Sequence, residues 1–295
     1  MELRHLRYLL AVAEHASFTR AAEALRVSQP TLSQQIKQLE RQLGVQLLDR
    51  TGRTVRLTDA GQSYAHYARL ALQDLAAAER SVLDVQDLTR GTLRLAATPT
   101  PTAYLIGPLT AEFHLRYPEI TLEIQELTQD QLESALLDDR LDLGIAFSGE
   151  HLPQLAAQPL FSETLGLVVG AAHPYARRRD PLPVADLHSH RLALLSPDFA
   201  TRRHIDRYFA EHGCRPQVSV EANTITALTE LVRRTALATV LPEAITREHP
   251  DLHPVRLDPA LPARTVTLLR RDTAYQSAAA RAFTALATRP AAGGE

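Results

Sequence analysis

Residues 17–61 of the 295-residue chain read SFTRAAEALRVSQPTLSQQIKQLERQLGVQLLDRTGRTVRLTDAG, a pattern of two short helices joined by a tight turn. Ser17 predicts the N-cap of a helix over 18–25, and Ser28 predicts the N-cap of a second helix whose first turn tolerates Pro30. Apolar side chains recur along the second helix at helical spacing, which predicts one buried face: Leu32, Ile36, Leu39 and Leu43. With a further amphipathic helix over the preceding residues, the N-terminal end reads as a helix-turn-helix unit.

Polar side chains cover the opposite face of the second predicted helix, at Thr31, Ser33, Gln34, Lys37 and Arg41. In helix-turn-helix proteins the second helix enters the major groove of DNA, where Gln and Ser read base edges while Lys and Arg hold phosphates. A solvated helix face is the alternative for each of these residues taken singly. The capped helix pair and the features that follow favour the DNA-binding interpretation.

After this helix, two short alternating runs surround Thr51 and Gly52 and predict a β-hairpin, which we call the wing. Arg50 and Arg53 flank its tip and are placed to reach the DNA backbone or the minor groove. The wing therefore adds a second basic element beside the predicted recognition helix.

Charge is distributed unevenly along the chain. Residues 1–58 hold nine Lys or Arg against five Asp or Glu, a charge of +4, whereas the whole chain has 32 basic and 34 acidic residues, a net charge of −2 that leaves −6 for the remainder. A basic module on an acidic body predicts a polyanionic partner for the N-terminal end only.

Composition excludes several classes of protein. With 45% hydrophobic and 22% charged residues, the chain has the balance of a globular protein with more than one core. Its single cysteine, Cys214, cannot form an intrachain disulfide or complete a Cys₄ or Cys₂His₂ zinc site, so a cytoplasmic location is expected. No apolar run approaches the roughly 18 to 20 residues of a membrane span, and no secretory signal is recognised.

A long helix is predicted to begin at Thr58 and Asp59, because an N-cap followed by an acid suits the positive end of a helix. It extends to Gly91, a rod of roughly 45 Å. Small and apolar residues recur along it at steps of four and three, the spacing of a coiled-coil seam: Ala60, Tyr64, Tyr67, Ala71, Leu75, Ala78, Val82 and Val85. We expect the seam to pair with a second copy of the chain; packing within the monomer is the alternative.

From Thr92 onward the pattern alternates between strands and helices, which predicts parallel α/β sheets with helices on both faces. Two sheets of about four strands fit better than one large sheet, because Pro-containing loops near 153–160 and 258–262 suggest two crossings between lobes. The predicted strands are 92–97, 120–125, 141–147, 163–169, 191–195, 218–221, 237–241 and 265–270. Ligands of such sheets lie beyond the carboxyl ends of the strands.

Hydroxyl and amide residues follow several of these predicted strands. Thr100 precedes Pro101 and a helix, Thr128 begins a capping box with Gln131, Ser196 or Asp198 opens the helix that contains Thr201, and Asn223 opens the helix through Leu231. Free N–H groups and helix dipoles at such positions favour a small anion, and few fixed cations besides Arg202 and Arg203 are evident. The alternative is that each residue only caps its helix.

Sequence motifs of catalysis are not found. The chain lacks GxxxxGK[ST], GxSxG, HExxH and GxGxxG, and His188 and His190 have no third metal ligand in sequence. We therefore predict no catalytic residues, no metal site and no cofactor.

These motifs together resemble the LysR-type transcriptional regulators. The resemblance covers the whole chain and is carried by residues 17–61, by LTRGTLRLAATPT at 88–100 and by DLGIAF at 142–147. Two further stretches, LLSPDFATR at 194–202 and EANTITALTELVRRTALATVLP at 221–242, are similar to those members of the family that activate a cyanate-utilisation operon. The resemblance therefore narrows the expected inducer to a small anion such as cyanate.

The resemblance implies a homotetramer, a dimer of dimers, that binds promoter DNA, responds to a small-molecule inducer and contacts RNA polymerase without a membrane partner. It implies a winged helix-turn-helix domain over 1–58, a linker helix over 59–90 and an effector domain over 91–295, with one lobe at 91–161 and 265–295 and the other at 162–264. The expected DNA contacts are Gln29, Pro30, Thr31, Ser33, Gln34, Lys37, Arg50 and Arg53. The expected effector contacts are Thr98, Thr100, Thr128, Ser196, Phe199, Thr201 and Asn223.

One residue departs from the family pattern, because Gln34 stands where many members carry arginine. Lys37 is therefore expected to make a larger share of the contacts to DNA phosphates. Three alternatives to a small-anion regulator remain from the sequence. They are a regulator of the same family with an aromatic or carboxylate effector, a solute-binding protein of transport, and an enzyme with a DNA-binding appendage. The basic N-terminal module opposes the second, and the missing catalytic set opposes the third.

Overall fold

A computed structural model describes residues 2–52, 54–84, 88 and 90–289, and the chain divides into two compact units, Met1–Leu83 and Asp84–Glu295. The first unit begins with three helices, α1 (Leu3–His15), α2 (Phe18–Leu25) and α3 (Gln29–Leu43). The Ser17 and Ser28 side chains cap α2 and α3 as predicted, and Arg26 in the left-handed region makes the tight turn between them. The helix-turn-helix prediction is confirmed.

The wing of the first unit is a short antiparallel pair, β1 (Leu48–Asp49) and β2 (Arg56–Leu57). It leads into a long helix, α4 (Asp59–Asp84). A Cβ atom added at Gly61 would lie 2.0 Å from the Leu47 carbonyl oxygen, so only glycine allows α4 to approach the wing this closely. The predicted continuation of the helix to Gly91 falls mostly on residues outside the described ones.

The core of the first unit lies between its three N-terminal helices and the wing. Its buried side chains are three of the four residues of the predicted α3 stripe together with neighbours from α1, α2 and the start of the wing: Leu9, Val12, Ala21, Ala22, Leu32, Ile36, Leu39, Leu47 and Leu48. The prediction was wrong for the fourth, Leu43, which is 40% exposed because it is the last residue of α3 and lies outside this core. The His5 ring, only 1% exposed, places Nε2 2.8 Å from the Gln35 Oε1 atom and so links α1 to α3. This core presents the other face of α3 to solvent.

The second unit contains two lobes, each built on a five-stranded sheet. The first lobe holds β3 (Gly91–Ala97), β4 (Ile120–Glu126), β5 (Leu143–Phe147), β6 (Leu155–Glu163) and β14 (Arg264–Arg271), in the order β4-β3-β5-β14-β6. Its helices are α5 (Pro99–Pro101), which continues as a π-helical turn over Thr102–Ile106, α6 (Gly107–Arg116), α7 (Gln129–Leu137) and α11 (Ala278–Ala287).

The second lobe holds β7 (Leu165–Gly170), β9 (Arg191–Leu195), β10 (Gln217–Ala222), β11 (Ala238–Pro242) and β12 (Leu252–Val255), in the order β10-β9-β11-β7-β12. Its helices are α8 (Ala200–Glu211), α9 (Ile225–Arg234) and α10 (Glu243–Glu248), with a 3₁₀ turn over Val184–Ser189. The short strands β8 (Leu182–Pro183) and β13 (Leu257–Asp258) pair beside it. Buried apolar clusters cover both faces of each sheet, so the two-lobed α/β prediction is confirmed.

The sheets are mixed, and the prediction of purely parallel sheets was wrong. β14 runs antiparallel to β5 and β6, and β7 runs antiparallel to β11 and β12. The strands that cross between lobes reverse direction, because β6 passes into β7 through the single residue Thr164.

Besides the two-residue strands β8 and β13, two strands of the five-stranded sheets were missed, both for one physical reason. β6 occupies most of the predicted 153–160 loop, and β12 was not predicted at all. Each contains a proline, Pro159 or Pro254, and each is an edge strand, where a missing N–H costs no ladder hydrogen bond. Pro159 also lies where the pairing of β6 with β14 shifts register.

Helices that could cross a membrane are not found among the residues described here. The same part of the chain has no group of three or more His, Cys, Asp or Glu side chains arranged to hold a metal ion.

Candidate nucleic-acid interface and interlobe site

The exposed face of α3 forms a continuous polar surface, which we call the recognition face. Its side chains line a shallow groove along the helix: Gln29, Pro30, Ser33, Gln34, Lys37, Gln38 and Arg41. Ser33 is half-buried and the other six are exposed, whereas Leu32, Ile36 and Leu39 on the opposite side are fully buried. Five of the six predicted DNA contacts on α3 therefore lie together on one accessible surface, and Thr31 is the sixth.

The first turn of α3 is fixed by its own side chains. The Ser28 Oγ atom accepts a hydrogen bond from the Thr31 N–H at 3.3 Å and lies 2.7 Å from the Thr31 Oγ1 atom. Thr31 thus has a partner within the chain, while Gln29 and Pro30 stand exposed at the N-terminal end of α3.

The wing is anchored to α3 by Glu40, a residue that sequence reasoning missed. Its carboxylate accepts hydrogen bonds from the N–H groups of Leu47 and Leu48 at 3.0 and 3.2 Å and from the Arg50 guanidinium at 2.8 Å. Arg50 also lies over the Phe18 ring, 5.1 Å from its centroid. Arg50 is therefore engaged inside the unit, and Arg53, the other predicted wing contact, lies outside the described residues.

The predicted seam of α4 lies largely on the surface. Tyr67 is 67% exposed and Leu75 is 42% exposed, and Ala71 and Ala78 are also exposed. A different stripe of the same helix is buried, at Gly61, Ala65 and Ala68. The side chains of Val82 and Val85 are outside the described set. The helix consequently carries large apolar side chains that the described part of one chain leaves in water.

In the second unit, two hydroxyls on separate lobes meet. The Oγ1 atoms of Thr100, in α5, and Thr201, in α8, lie 3.0 Å apart, and both side chains are buried. Thr98 occupies the position before α5, and its buried hydroxyl has no hydrogen-bond partner among the described residues. Three of the predicted effector residues thus lie on or beside a contact between the lobes.

Arg264 completes this contact, and together with Glu163, Thr100 and Thr201 it forms what we call the interlobe site. Its guanidinium donates to the Thr201 and Thr100 hydroxyls at 2.9 and 3.2 Å and to the Glu163 carboxylate at 2.5 Å. Its carbon lies 3.5 Å from the centroid of the Phe147 ring. The Tyr104 hydroxyl donates to the second Glu163 oxygen.

The expectation that Arg202 and Arg203 are the only evident cations for this region was wrong. Arg202 is not placed to bind a ligand, because its buried guanidinium already donates to Asp206, Glu221 and the Leu195 carbonyl oxygen. Arg203 is exposed and donates to the Asp198 carbonyl oxygen. The role of Arg264 can be recognised only once the order of the strands in the sheet is known. Arg264 and Glu163 are 101 residues apart and become direct partners only because β14 pairs with β6.

The remaining predicted effector residues lie at other positions. Thr128 makes the predicted capping box with Gln131. Ser196 is half-buried in the turn before α8, and it does not cap that helix, whose N-cap position is Phe199. Asn223 is exposed and does not open α9, because the Thr224 side chain is the N-cap and accepts from the Ala227 N–H at 3.2 Å. No contact joins Thr128, Ser196 or Asn223 to Arg264 in the described structure.

Burial governs the electrostatics of the interlobe site. It lowers the pKa of the Arg264 guanidinium, a shift that the Glu163 charge opposes. Burial and the Glu163 charge both raise the pKa of the Tyr104 hydroxyl, which therefore stays protonated and donates. Burial also lowers the pKa of His204, whose Nε2 atom lies 3.0 Å from the Pro262 carbonyl oxygen. The site thus holds one cation and one internal carboxylate.

Comparison with known proteins identifies both units. A family model described as LysR substrate binding domain matches residues 86–291, and one described as bacterial regulatory helix-turn-helix protein, lysR family, matches residues 3–62. The chain is 32% identical over 242 residues to the DNA-binding transcriptional dual regulator OxyR of Escherichia coli K12, covering 82% of this chain and 79% of that protein. It is 31% identical over 290 residues to a probable RuBisCO transcriptional regulator of Trichormus variabilis, covering 95% and 86%.

Solved structures match over nearly the full length. A full-length OxyR variant from Pseudomonas aeruginosa superposes with a TM-score of 0.70 at 26% identity, covering 97% of this chain and 93% of that one. Full-length CbnR in complex with its target DNA superposes with a TM-score of 0.63 at 25% identity, covering 97% and 99%. The names of these relatives refer to RuBisCO and to regulation in general, so the narrower resemblance to cyanate-operon activators stays a prediction.

Proposed function

The chain belongs to the LysR family of DNA-binding transcriptional regulators, and we propose that it changes transcription when a small monovalent anion binds at the interlobe site. The observation that carries the proposal is the buried Arg264 guanidinium with hydroxyls from both lobes on its N–H groups. A ligand that bridges such groups alters the relation between the lobes. Cyanate, indicated by the sequence resemblance, has the required size and charge.

The recognition face supports specific DNA binding. Ser33 and Gln34 offer groups that hydrogen-bond to base edges, and Lys37 offers a phosphate contact from the same surface of α3. CbnR, which has the same fold, is known in complex with its target DNA. We propose the same use of α3 here, with Arg53 and the wing contacting the backbone.

The number of cations at the interlobe site favours a single negative charge on the ligand. A dicarboxylate or a phosphate ester is usually held by paired arginines, whereas this site has Arg264 alone among its four residues. An aromatic or carboxylate effector is the second candidate, favoured by the Phe147 and Tyr104 rings beside Arg264 and Glu163.

A thiol-based peroxide response is not supported, although some relatives are named hydrogen peroxide-inducible genes activator. Redox-sensing cysteines are exposed, have a low pKa and often lie beside a resolving cysteine. Cys214 is the only cysteine, it is 2% exposed, and burial raises the pKa of its thiol. The Cys214 thiol instead donates to the Val184 carbonyl oxygen at 3.1 Å.

The exposed seam of α4 supports assembly into dimers, and we propose a dimer of dimers on a pseudo-palindromic promoter, with RNA polymerase as the downstream partner. One dimer holds two recognition helices, which contact two half-sites of the promoter. The affinity for the promoter is therefore higher than that of one helix alone, and the dimer geometry sets the spacing of the half-sites. The cytoplasm is the compartment where this activity takes place.

Replacing Lys37 with alanine should weaken binding to all DNA sequences alike. Because the exposed side chain is assigned to a phosphate, its loss should reduce the slope of log affinity against log salt by about one unit per protomer. Fluorescence anisotropy on specific and unrelated duplexes across a salt series measures this. Lys37→Arg keeps the charge and should keep the slope; an alanine variant that loses affinity only for the specific duplex would contradict the phosphate assignment.

Replacing Thr100 with valine should weaken the anion response and leave promoter binding near normal. The change keeps the side-chain shape but removes a hydroxyl that is proposed to donate a hydrogen bond to the anion, and a hydrogen bond to a charged group contributes about 1.5–3 kcal/mol. Calorimetry of the full-length protein with cyanate and azide should show at least about a tenfold weaker affinity in the variant. Thr110→Val, which removes another buried hydroxyl in the first lobe, is the matched control. Equal affinities for the Thr100→Val variant and the wild type would remove Thr100 from the site.

A further inference from the structure

An ion pair lies where the chain crosses between the two lobes. Glu163 is the last residue of β6 and Arg264 is the first residue of β14, and the two are direct partners in the antiparallel ladder. The side chains are 8% exposed for Arg264 and 5% for Glu163. One residue after Glu163 the chain enters the second lobe, so the pair lies at the hinge of the second unit.

Both partners also reach beyond the hinge. The Arg264 guanidinium donates to Thr201 in the second lobe and to Thr100 in the first. The second Glu163 oxygen accepts from Tyr104, whose ring packs against the apolar cluster of the second lobe. The pair consequently connects the strands that cross between lobes with the groups proposed to bind ligand.

The arrangement leaves no room for a ligand atom between the two threonines, because their hydroxyl oxygens are already within hydrogen-bond distance of each other. It also leaves no unbalanced charge, because the Glu163 carboxylate neutralises the Arg264 guanidinium. An anion that takes the Arg264 N–H groups now bonded to Glu163 binds in this buried position at the cost of that contact, and the two carboxylates beside one guanidinium repel each other.

We propose that Glu163 is an internal substitute for the ligand: its carboxylate occupies Arg264 while the site is empty, and an anionic inducer acts by displacing it. The proposal rests on the proposed function, because it assumes that the inducer binds at the interlobe site. Displacement frees Glu163 from the β6–β14 ladder end and separates Thr100 from Thr201, which couples binding to the hinge. The expected ligand is a monovalent anion about the size of a carboxylate. It would accept hydrogen bonds from the same Arg264 N–H groups that now donate to Glu163.

Glu163→Gln tests the proposal in the full-length protein, because it keeps the side-chain shape and removes the internal charge. The buried Arg264 cation then lacks a counter-ion and should recruit one from solution. We expect formate and azide, titrated at constant ionic strength in a chloride-free buffer, to raise the unfolding temperature of the variant. The half-saturating concentration should be about tenfold or more below that of the wild type, the equivalent of one charge-assisted hydrogen bond.

Two further variants make the test specific. In the double variant Glu163→Gln with Arg264→Met, formate and azide should no longer raise the unfolding temperature at the lowered concentration, because the cation that binds them is gone. Tyr104→Phe keeps both charges but removes the hydroxyl that holds Glu163, so it should bind formate several-fold more tightly than the wild type without leaving a buried charge unpaired. This variant keeps the proposal testable even if Glu163→Gln folds poorly.

Promoter footprints recorded on the same samples distinguish a failure of the Glu163 displacement from a failure of the proposed effector class. The proposal expects the footprint of Glu163→Gln to change with formate at the same lowered concentration. Wild-type half-saturation in both Glu163→Gln and Tyr104→Phe overturns it, and so does tighter anion binding without any change in footprint. If the wild-type footprint responds to an uncharged or aromatic compound but to no anion, the proposed effector class fails while regulation of DNA binding stands.

Discussion

Leu75→Asp should separate the protein into monomers and reduce its affinity for a specific promoter by more than about a hundredfold. Leu75 is 42% exposed in the described chain, on the same stripe of α4 as the exposed Tyr67 and Ala71. In the proposed dimer this position would be buried against the partner helix, where an unpaired carboxylate costs several kcal/mol. Because one dimer holds two half-sites, each monomer keeps only the affinity of one recognition helix. Sedimentation velocity at micromolar concentration measures the first effect and fluorescence anisotropy the second.

Two variants serve as controls for the seam. Leu75→Met keeps an apolar side chain of similar volume and should leave the assembly intact. Gln62→Asp introduces the same charge on the opposite, exposed side of α4 and should also sediment like the wild type. If Leu75→Asp sediments like both controls, the exposed stripe of α4 is not the dimer contact and its apolar residues need another explanation.

Replacing Ser33 and Gln34 together with alanine should abolish sequence discrimination while the protein stays folded. Each lost base contact costs about 1–3 kcal/mol, so the pair is worth about 30- to 20,000-fold in specific affinity if the contributions add. Stability should change little, because Gln34 is exposed, Ser33 is only half-buried and alanine favours the helix. Non-specific binding should persist, since Lys37 and Arg41 remain on the same face.

Competition between a specific and a scrambled duplex measures this discrimination directly. Gln42→Ala is the matched control, because Gln42 is an exposed glutamine of the same helix that lies off the recognition face. The control should keep the wild-type ratio of specific to non-specific affinity. A double variant with the wild-type ratio would show that α3 does not read the bases.

The N-terminal unit could be predicted closely because its determinants are local. The capping serines and the apolar stripe of α3 are determined within one helix or one turn, and the structure matches them except at Leu43, the exposed last residue of the helix. Glu40 was missed because its role depends on the backbone N–H groups of a hairpin seven and eight residues further on. The available signal was a lone acid near the C-terminal end of a helix that also carries Lys37 and Arg41.

The interlobe site could be predicted only in part, because its determinants are distant in sequence. Thr100 and Thr201 were predicted as polar residues beyond strand ends, but Glu163 was predicted only as the first residue of a strand and no role was predicted for Arg264. Their pairing follows from the order of β6 and β14 in the sheet, and β6 itself was obscured by Pro159. Two opposite charges beside the two predicted crossings were a signal that no local rule interprets.

Selection of binding sites for the full-length protein from random duplex DNA, followed by footprinting of the selected site with and without a monovalent anion, tests DNA recognition and anion response together. We expect enrichment of a pseudo-palindromic sequence, and a footprint whose extent changes when cyanate, azide or formate is added at constant ionic strength. Failure to enrich any sequence would contradict the assignment of α3 as the recognition helix. A footprint that ignores these anions but changes with an aromatic or dicarboxylate compound would contradict the anion-binding role of Arg264.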